Sequence, residues 1–271
     1  MHLSIAGLTD IGRVRTENED AFFINDTLAV VADGMGGAAA GEIASSLAVN
    51  IIAAALKDAA PGSDAEAEKL IRNSILEADA QIRSAAKANW SFSGMGTTLL
   101  VALPVKQHIL LGHVGDSRAY FISGGYARGI EAINSSRENV AVSATPRQTG
   151  SAETSSPFIM RLTDDHSVVM EMVRLGMLSE KEIRSHPLRN RITRCVGCLE
   201  DQEPDFLKFT PRKGDVLILC TDGLWEMVHE NKILKIVASA ESPENMCRKL
   251  IDAANAAGGQ DNITAVAEAF D

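Results

Sequence analysis

Residues 20–37, "DAFFINDTLAVVADGMGG", decide how the chain is read. Two short apolar runs, "DAFFIND" and "LAVVADG", are split by a turn-forming Asn25-Asp26, which predicts a β-hairpin. The second strand ends on an acid followed by three glycines around Met35. Two readings of "VADGMGG" compete. In one, a tight turn begins at Asp33, because glycine readily adopts the backbone angles that turns demand. In the other, a bare loop lets a phosphate or a metal come close to the backbone.

Outward from the hairpin, "GEIASSLAVNIIAAALKDA" places Ile43, Leu47, Ile51 and Leu56 at near-helical spacing and stops before Pro61-Gly62. A second helix is expected over 65–88, with Leu70, Ile71, Ile75, Ala78 and Ile82 on its apolar face. Three strands follow in "TTLLVALPV", "HILLGHVG" and "SRAYFISGG", read as a β-meander. From 124 to 157 the pattern dissolves into Ser, Thr, Asn and Gly, a mobile insertion. Order returns at "FIMRLTDDHS", the amphipathic "VVMEMVRLGML" and the basic "HPLRNRITR". The strand "DVLILCTDG", helices over 231–240 and 244–257, and the strand "NITAVAEAF" close the chain. Regular βαβ alternation is missing, so the class is α+β with antiparallel sheets.

A chain of 271 residues is compatible with one large domain, 1–271, with a substantial core. Aromatic residues are only 4% of it, so aliphatic side chains must fill that core. A net charge of −10 argues against nucleic acid and anionic membranes as partners, because both require a basic patch. No signal-peptide pattern or apolar run of membrane length is readable, and a soluble cytoplasmic protein is expected. Four cysteines at 195, 198, 220 and 247 are too few and too uneven for a disulfide framework, which fits a reducing compartment. Cys195 and Cys198 form a CxxC in "RCVGCLED" without further zinc ligands nearby, and are read as small, partly buried residues rather than as a metal or redox pair.

Five acids stand at or beside the ends of expected strands: Asp20, Asp33, Asp116, Asp222 and Asp261. One "DG" after a strand is a common turn, but five comparable acids in one chain are harder to explain by turns alone. Gathered carboxylates repel one another, and burying them uncompensated costs several kcal/mol each. A divalent cation resolves the conflict, and all-oxygen ligands point to Mg²⁺ or Mn²⁺ rather than zinc. The absence of a "GxxxxGK[ST]" argues against a P-loop, and the missing D-x-D-x-D-G spacing excludes an EF-hand.

In order along the chain, "RTENEDAF", "VADGMGG", "GMGTTLL", "HVGDSRAYF", "LTDDHS", "HPLRNRITR", "TDGLWEMV" and "GGQDNITAV" closely resemble the bacterial branch of the metal-dependent type 2C Ser/Thr protein phosphatases. The likeness runs from Gly12 to Val266, interrupted mainly by 124–157. It implies a four-layer αββα sandwich with a two-metal site in a cleft at one end. By resemblance, Asp33 bridges both metals, the Gly34 carbonyl and Asp20 each bind one of them, and Asp222 and Asp261 complete the pair. Asp116, with Asp222, resembles the site of a third, weaker ion. Arg15 matches the arginine that grips the substrate phosphate, a task for its planar fork, with Arg13 as the structural alternative.

The implied reaction is hydrolysis of phosphoserine and phosphothreonine in proteins by a metal-bridged hydroxide, opposing a Ser/Thr protein kinase. Met35 stands where many eukaryotic relatives carry a histidine, and methionine has no proton to give. His113 and His166 flank motifs and are read as packed rather than catalytic. About 167–197 corresponds to the flap beside the cleft, where Arg189 and Arg191 either steer phosphoprotein substrate or belong to a solvated basic loop. The 124–157 insertion is either a tolerated surface loop or a partner-docking loop. The chain is expected to be a monomer. The contrasting reading is a catalytically silent phosphoprotein-binding adaptor, against which the complete set of acids speaks.

Overall fold

The computed structural model describes residues 3–36, 40–123, 130–133, 157–198 and 203–271. In chain order the elements are β1 (Leu3–Asp10), β2 (Asp20–Asn25), β3 (Leu28–Met35), α1 (Ala40–Leu56), α2 (Asp64–Ala88), β4 (Gly96–Thr97), β5 (Leu99–Val105), β6 (His108–Val114) and β7 (Arg118–Ser123). They continue through β8 (Ile130–Ile133), β9 (Phe158–Arg161), α3 (Val168–Arg174), β10 (Asp205–Phe209), β11 (Val216–Cys220), α4 (Asp222–Trp225), α5 (Glu230–Ala238), α6 (Pro243–Ala256) and β12 (Ile263–Phe270).

The strands make two antiparallel sheets. One runs β1-β12-β11-β7-β9; the other runs β2-β3-β5-β6-β10-β8, with β4 added to β3. The opening hairpin is real: β2 pairs with β3 from Asp20↔Asp33 to Asn25↔Leu28, and the Asn25 side chain accepts the Thr27 amide at 3.0 Å to shape the turn. The expected meander is not. β5 and β6 do pair, but after Gly115 the chain crosses over, and β7 joins β11 and β9 in the other sheet. Local apolar runs announce strands, whereas the sheet a strand joins is set by which face must be covered.

Side-chain alternation divides the core into three layers. Leu28, Val30 and Ala32 of β3 pack under α1 and α2, while Ala29 and Val31 point to the opposite sheet. In the other sheet, Ile218 and Cys220 pack against α4, α5 and α6, and Leu217 and Leu219 point inward. Both faces of each sheet are covered, which explains strands that read as continuous apolar runs. The result is helices, sheet, sheet and helices, the α+β sandwich expected. The face of α1 that lies buried includes Ala40, Ala44, Ala48, Ile52 and Leu56; of the expected stripe Leu56 is buried, whereas Ile43, Leu47 and Ile51 are only partly so. Small residues let this helix approach the sheet closely.

The strands β1, β4, β8 and β10 had no counterpart in the sequence reading, and β9 was read only as a return of order at "FIMRLTDDHS". Of the 124–157 insertion, residues 130–133 form β8 against β10. The rest, apart from Pro157, lies outside the described residues. No helix among the described residues is long and apolar enough to cross a membrane.

Candidate active site

The same alternation that builds the layer between the sheets carries acids into it at one end. On β2, Asp20 shares a face with Phe22 and Ile24; on β3, Asp33 follows Ala29 and Val31. From the other sheet, Thr221 follows Leu217 and Leu219, and Thr264 precedes Val266. Here Asp20 bridges the layers: its Oδ2 accepts from Thr221 Oγ1 at 2.9 Å and from Thr264 Oγ1 at 2.7 Å. Its Oδ1 is buried and has no hydrogen-bond partner.

Burial pushes the Asp20 carboxyl up to about 7, despite the two hydroxyls that favour its charged form. Asp33 is raised well above the usual carboxylate range, first by burial and then by the charges of Asp222, Asp20, Asp116 and Asp261. Asp222 is raised likewise, by burial and then by Asp116 and Asp261. Asp116 is buried and pushed up to about 7, with Asp165 opposing its charge and Arg118 offsetting part of that. All five acids named from the sequence thus act on one another at one end of the sandwich.

Among the described residues, no three Asp, Glu, His or Cys side chains stand close enough together to hold a metal ion as they are. The donors themselves suit a hard divalent ion: all are oxygens, and Asp20 Oδ1 is an orphaned buried acceptor.

The backbone around Asp33 is fixed by two threonines. Thr98 Oγ1 accepts the Asp33 amide at 2.9 Å, while the Thr98 amide and Thr97 Oγ1 each donate to the Asp33 carbonyl at 2.9 Å. Gly34 has a packing reason to be glycine: a Cβ there would lie 2.1 Å from the Gly41 carbonyl oxygen and 2.6 Å from that of Glu19.

Arg15 lies in the loop between β1 and β2. Its NH2 donates to Asp261 Oδ2 at 2.7 Å, a bond that raises the guanidinium's already high pKa. The side chain remains 47% exposed. Asn262, which the sequence reading passed over, ties this loop down: its Oδ1 accepts the Glu19 amide at 2.8 Å, and its Nδ2 donates to the carbonyls of Glu17 and Ile11. The polar residues missed, Thr97, Thr98, Thr221, Asn262 and Thr264, all lie inside or beside the quoted motifs. Threonines gathered at strand ends were the signal available.

The arginines between 184 and 194 are less concentrated than their sequence suggests. Arg194 donates to Asp205 at 2.8 Å, Arg184 meets His229, and Arg189 Nε stands 3.6 Å from Glu226. Glu226 in turn adds to the charge that raises Asp222, so Arg189 borders the acid cluster. Arg191 is exposed.

His166 and His113 are packed, as read. His166 Nδ1 accepts the Gly115 amide at 3.0 Å, leaving Nε2 to donate to Asp205 at 3.0 Å. Their rings lie 4.8 Å apart, and burial, with the charge of His166, pushes His113 down to about 3. One expectation is overturned: Cys195 and Cys198 are not separate thiols but are joined in a disulfide, with Cys195 wholly buried. Cys220 and Cys247 are free and buried.

Comparison with known proteins identifies the family. The sequence model of the family described as Protein phosphatase 2C matches residues 13–261. The serine/threonine phosphatase stp of Listeria welshimeri is 33% identical over 262 residues, 94% of this chain and 91% of that protein. The protein phosphatase PhpP of Streptococcus pneumoniae is 33% identical over 267 residues, 97% of this chain and 95% of its own. Among solved structures, the Mycobacterium tuberculosis serine/threonine phosphatase PstP/Ppp superposes with a TM-score of 0.81 at 29% identity, covering all of both chains. The catalytic domain of a PstP solved with two manganese ions gives 0.76 at 28% identity, over 99% of this chain and 98% of that one. These likenesses define the chain as an enzyme of the protein phosphatase class. It belongs to the protein phosphatase 2C family.

Proposed function

We propose that the protein removes phosphate from phosphoserine and phosphothreonine in proteins, using Mg²⁺ or Mn²⁺, and so opposes a Ser/Thr protein kinase in the cytoplasm. The observation that carries this reading is the gathering of Asp222, Asp20, Asp116 and Asp261 around Asp33 at the shared end of the sheets, where burial first and then their charges disfavour its ionised form. A fold has no reason to keep so unfavourable a cluster unless cations offset it. The related PstP domain solved with two manganese ions supports the same choice of metal.

In this reading Asp33, Asp20, the Gly34 carbonyl, Asp222 and Asp261 would hold two ions, with Asp33 the acid common to both, and Asp116, with Asp222, would hold a third. Divalent cations bound there would supply a water acidic enough to attack phosphorus and would offset the charge that develops on its oxygens. Thr221 and Thr264 hold Oδ2 of Asp20, which leaves Oδ1 without a protein partner and would make it available to an ion. Arg15, standing exposed beside Asp261, orients the phosphoryl group with its fork. Met35 cannot protonate the leaving Ser or Thr oxygen, which takes its proton from water.

Arg189 and Arg191, on a flap spanning about 167–197 of a single catalytic domain, engage the substrate protein beyond its phosphate. The protein acts as a monomer. Phosphate release from phosphothreonine and phosphoserine peptides, measured with Mn²⁺ and with a chelator, tests the proposal. Release should require the metal; release indifferent to it, or none with either Mn²⁺ or Mg²⁺, refutes the reading.

A further inference from the structure

The function above leaves one motif unused, the CxxC at 195–198. We propose that Cys195 and Cys198 form a reversible dithiol/disulfide site, reduced by a small or protein dithiol, that controls how firmly the Asp33–Gly34 loop is held. The redox chemistry stands independently of the phosphatase reading; only the consequence for metal binding rests on it.

The bond joins residues three apart, with Cα atoms 6.1 Å apart. So short a ring restricts the unfolded chain less than a long one would, so its worth as a structural staple is small. The two remaining cysteines are unbonded and buried, and burial pushes the Cys247 thiol up to about 12. One closed pair among unreactive thiols is the pattern of a redox-sensing disulfide in a reducing compartment, rather than that of a disulfide framework.

Its place in the fold gives it leverage. Val196, inside the ring, pairs with Thr97 of β4: the Val196 amide donates to the Thr97 carbonyl at 2.8 Å and the Thr97 amide donates back at 2.9 Å. Cys198 Sγ lies so close over β4 that a Cβ on Gly96 would come within 2.7 Å of it. On its other edge β4 pairs with the metal loop, Thr97 opposite Gly34 and Gly96 opposite Met35. Thr97 Oγ1 also donates to the Asp33 carbonyl. The ring is pinned from below, where Asp79 accepts the Gly197 amide at 2.8 Å and is itself held by Arg83. On the chain before it, Thr193 donates its amide to the His166 carbonyl at 2.7 Å. The disulfide therefore sits where the end of the flap, helix α2 and the metal loop meet.

Cys195 is buried and Cys198 partly exposed, which fixes the order of events. A thiolate of the incoming dithiol attacks Cys198 Sγ, and Cys195 leaves as a thiolate and takes up a proton. The second thiol of the reductant then attacks the mixed disulfide and frees Cys198. Two electrons and two protons pass to the protein, and the reductant ends as a disulfide. With the ring open, Cys198 is no longer drawn over Gly96, and the Val196–Thr97 pairing loses its brace.

The test uses the full chain, equilibrated in its folded state with reduced or oxidised dithiothreitol. Samples quenched in acid are denatured and then alkylated, so that mass spectrometry counts every thiol, and hydrogen exchange is read on peptides spanning 30–36 and 94–99. Oxidised protein should show two thiols, Cys220 and Cys247, and reduced protein four. Exchange at Gly34 and Thr97 should be roughly tenfold faster in the reduced form, since exchange reports local opening. The Cys195→Ser/Cys198→Ser variant, and Cys198→Ser alone, should exchange at the reduced rate in both buffers. Four thiols under oxidising conditions, a bond that folded protein does not surrender to the dithiol, or equal exchange in the two forms each overturns the proposal. Mn²⁺-dependent phosphate release from the same samples is a separate reading, so failure of the phosphatase function is told apart from failure of the redox site.

Discussion

The middle of the layer between the sheets and its acidic end are made by the same strands, and they are opposites. In the middle, Val31, Leu100, Leu219 and Val266 are all fully buried, and each apolar contact favours the folded state. Two residues further along the same face, β3 presents Asp33 in place of Val31, and the cluster there works against folding. The difference shows that the sheets are held together by their centre, which leaves the end free to carry an arrangement that only a ligand can relieve. Stability and function occupy adjacent positions on one strand but different parts of the layer.

Breaking the middle should have the largest effect. Leu219→Ala removes a fully buried side chain between the sheets and should cost about 3 kcal/mol in denaturant unfolding. The molecules that remain folded should keep their activity, because no polar group of the end is touched.

An exception within the middle sharpens the contrast. Glu268 of β12 is buried, and burial alone pushes its carboxyl up to about 8. Between the ordinary carboxylate range and pH 8 the unfolded chain has lost this proton while the folded chain keeps it. Stability therefore falls as pH rises through that window, and the loss is complete above the folded value. Glu268→Gln should raise stability by on the order of 2 kcal/mol at pH 8 and change little at pH 4, as read from denaturant midpoints at the two pH values.

The smallest expected effect lies at the seam between the two regions. Thr264→Val keeps the shape of the side chain but removes the hydroxyl that donates to Asp20 at 2.7 Å. Stability should fall by about 1 kcal/mol, and Mn²⁺ affinity measured by calorimetry by about tenfold, the low end of what an outer partner of a ligand contributes.

Most of this division was legible in the sequence. Apolar runs buried on both faces announced β2, β3, β5, β6 and β7 and again β11 and β12, and the five acids at or beside strand ends announced the cluster. The strand β1 was missed because its pairing, Leu3↔Phe270 to Asp10↔Ile263, joins the two ends of the chain and leaves no local trace. β10 was missed for a similar reason, since "DFLKF" gains its meaning only beside β6 and β8. The passage of β7 to the second sheet could not be read from its own residues, because an apolar run does not say which layer it will fill. In α1 the larger side chains drew attention, although the alanines make the closest approach to the sheet. The cysteine pair was misjudged because a CxxC has no periodicity to read, and only the turn at Gly197 brings the two sulfurs together. Asn262 and the threonines are supports, and their value appears only when the loops they hold are in place.

The central claim is that the acidic end is unfavourable without cations and becomes favourable with them, and thermal unfolding of Asp33→Asn with and without Mn²⁺ tests it most directly. Without metal the variant should melt above the wild-type protein, because one of the mutually repelling carboxylates is gone. Mn²⁺ should raise the wild-type midpoint by several degrees and leave that of the variant nearly unmoved. A variant that melts lower than wild type without metal, yet gains as much from Mn²⁺, would contradict the account.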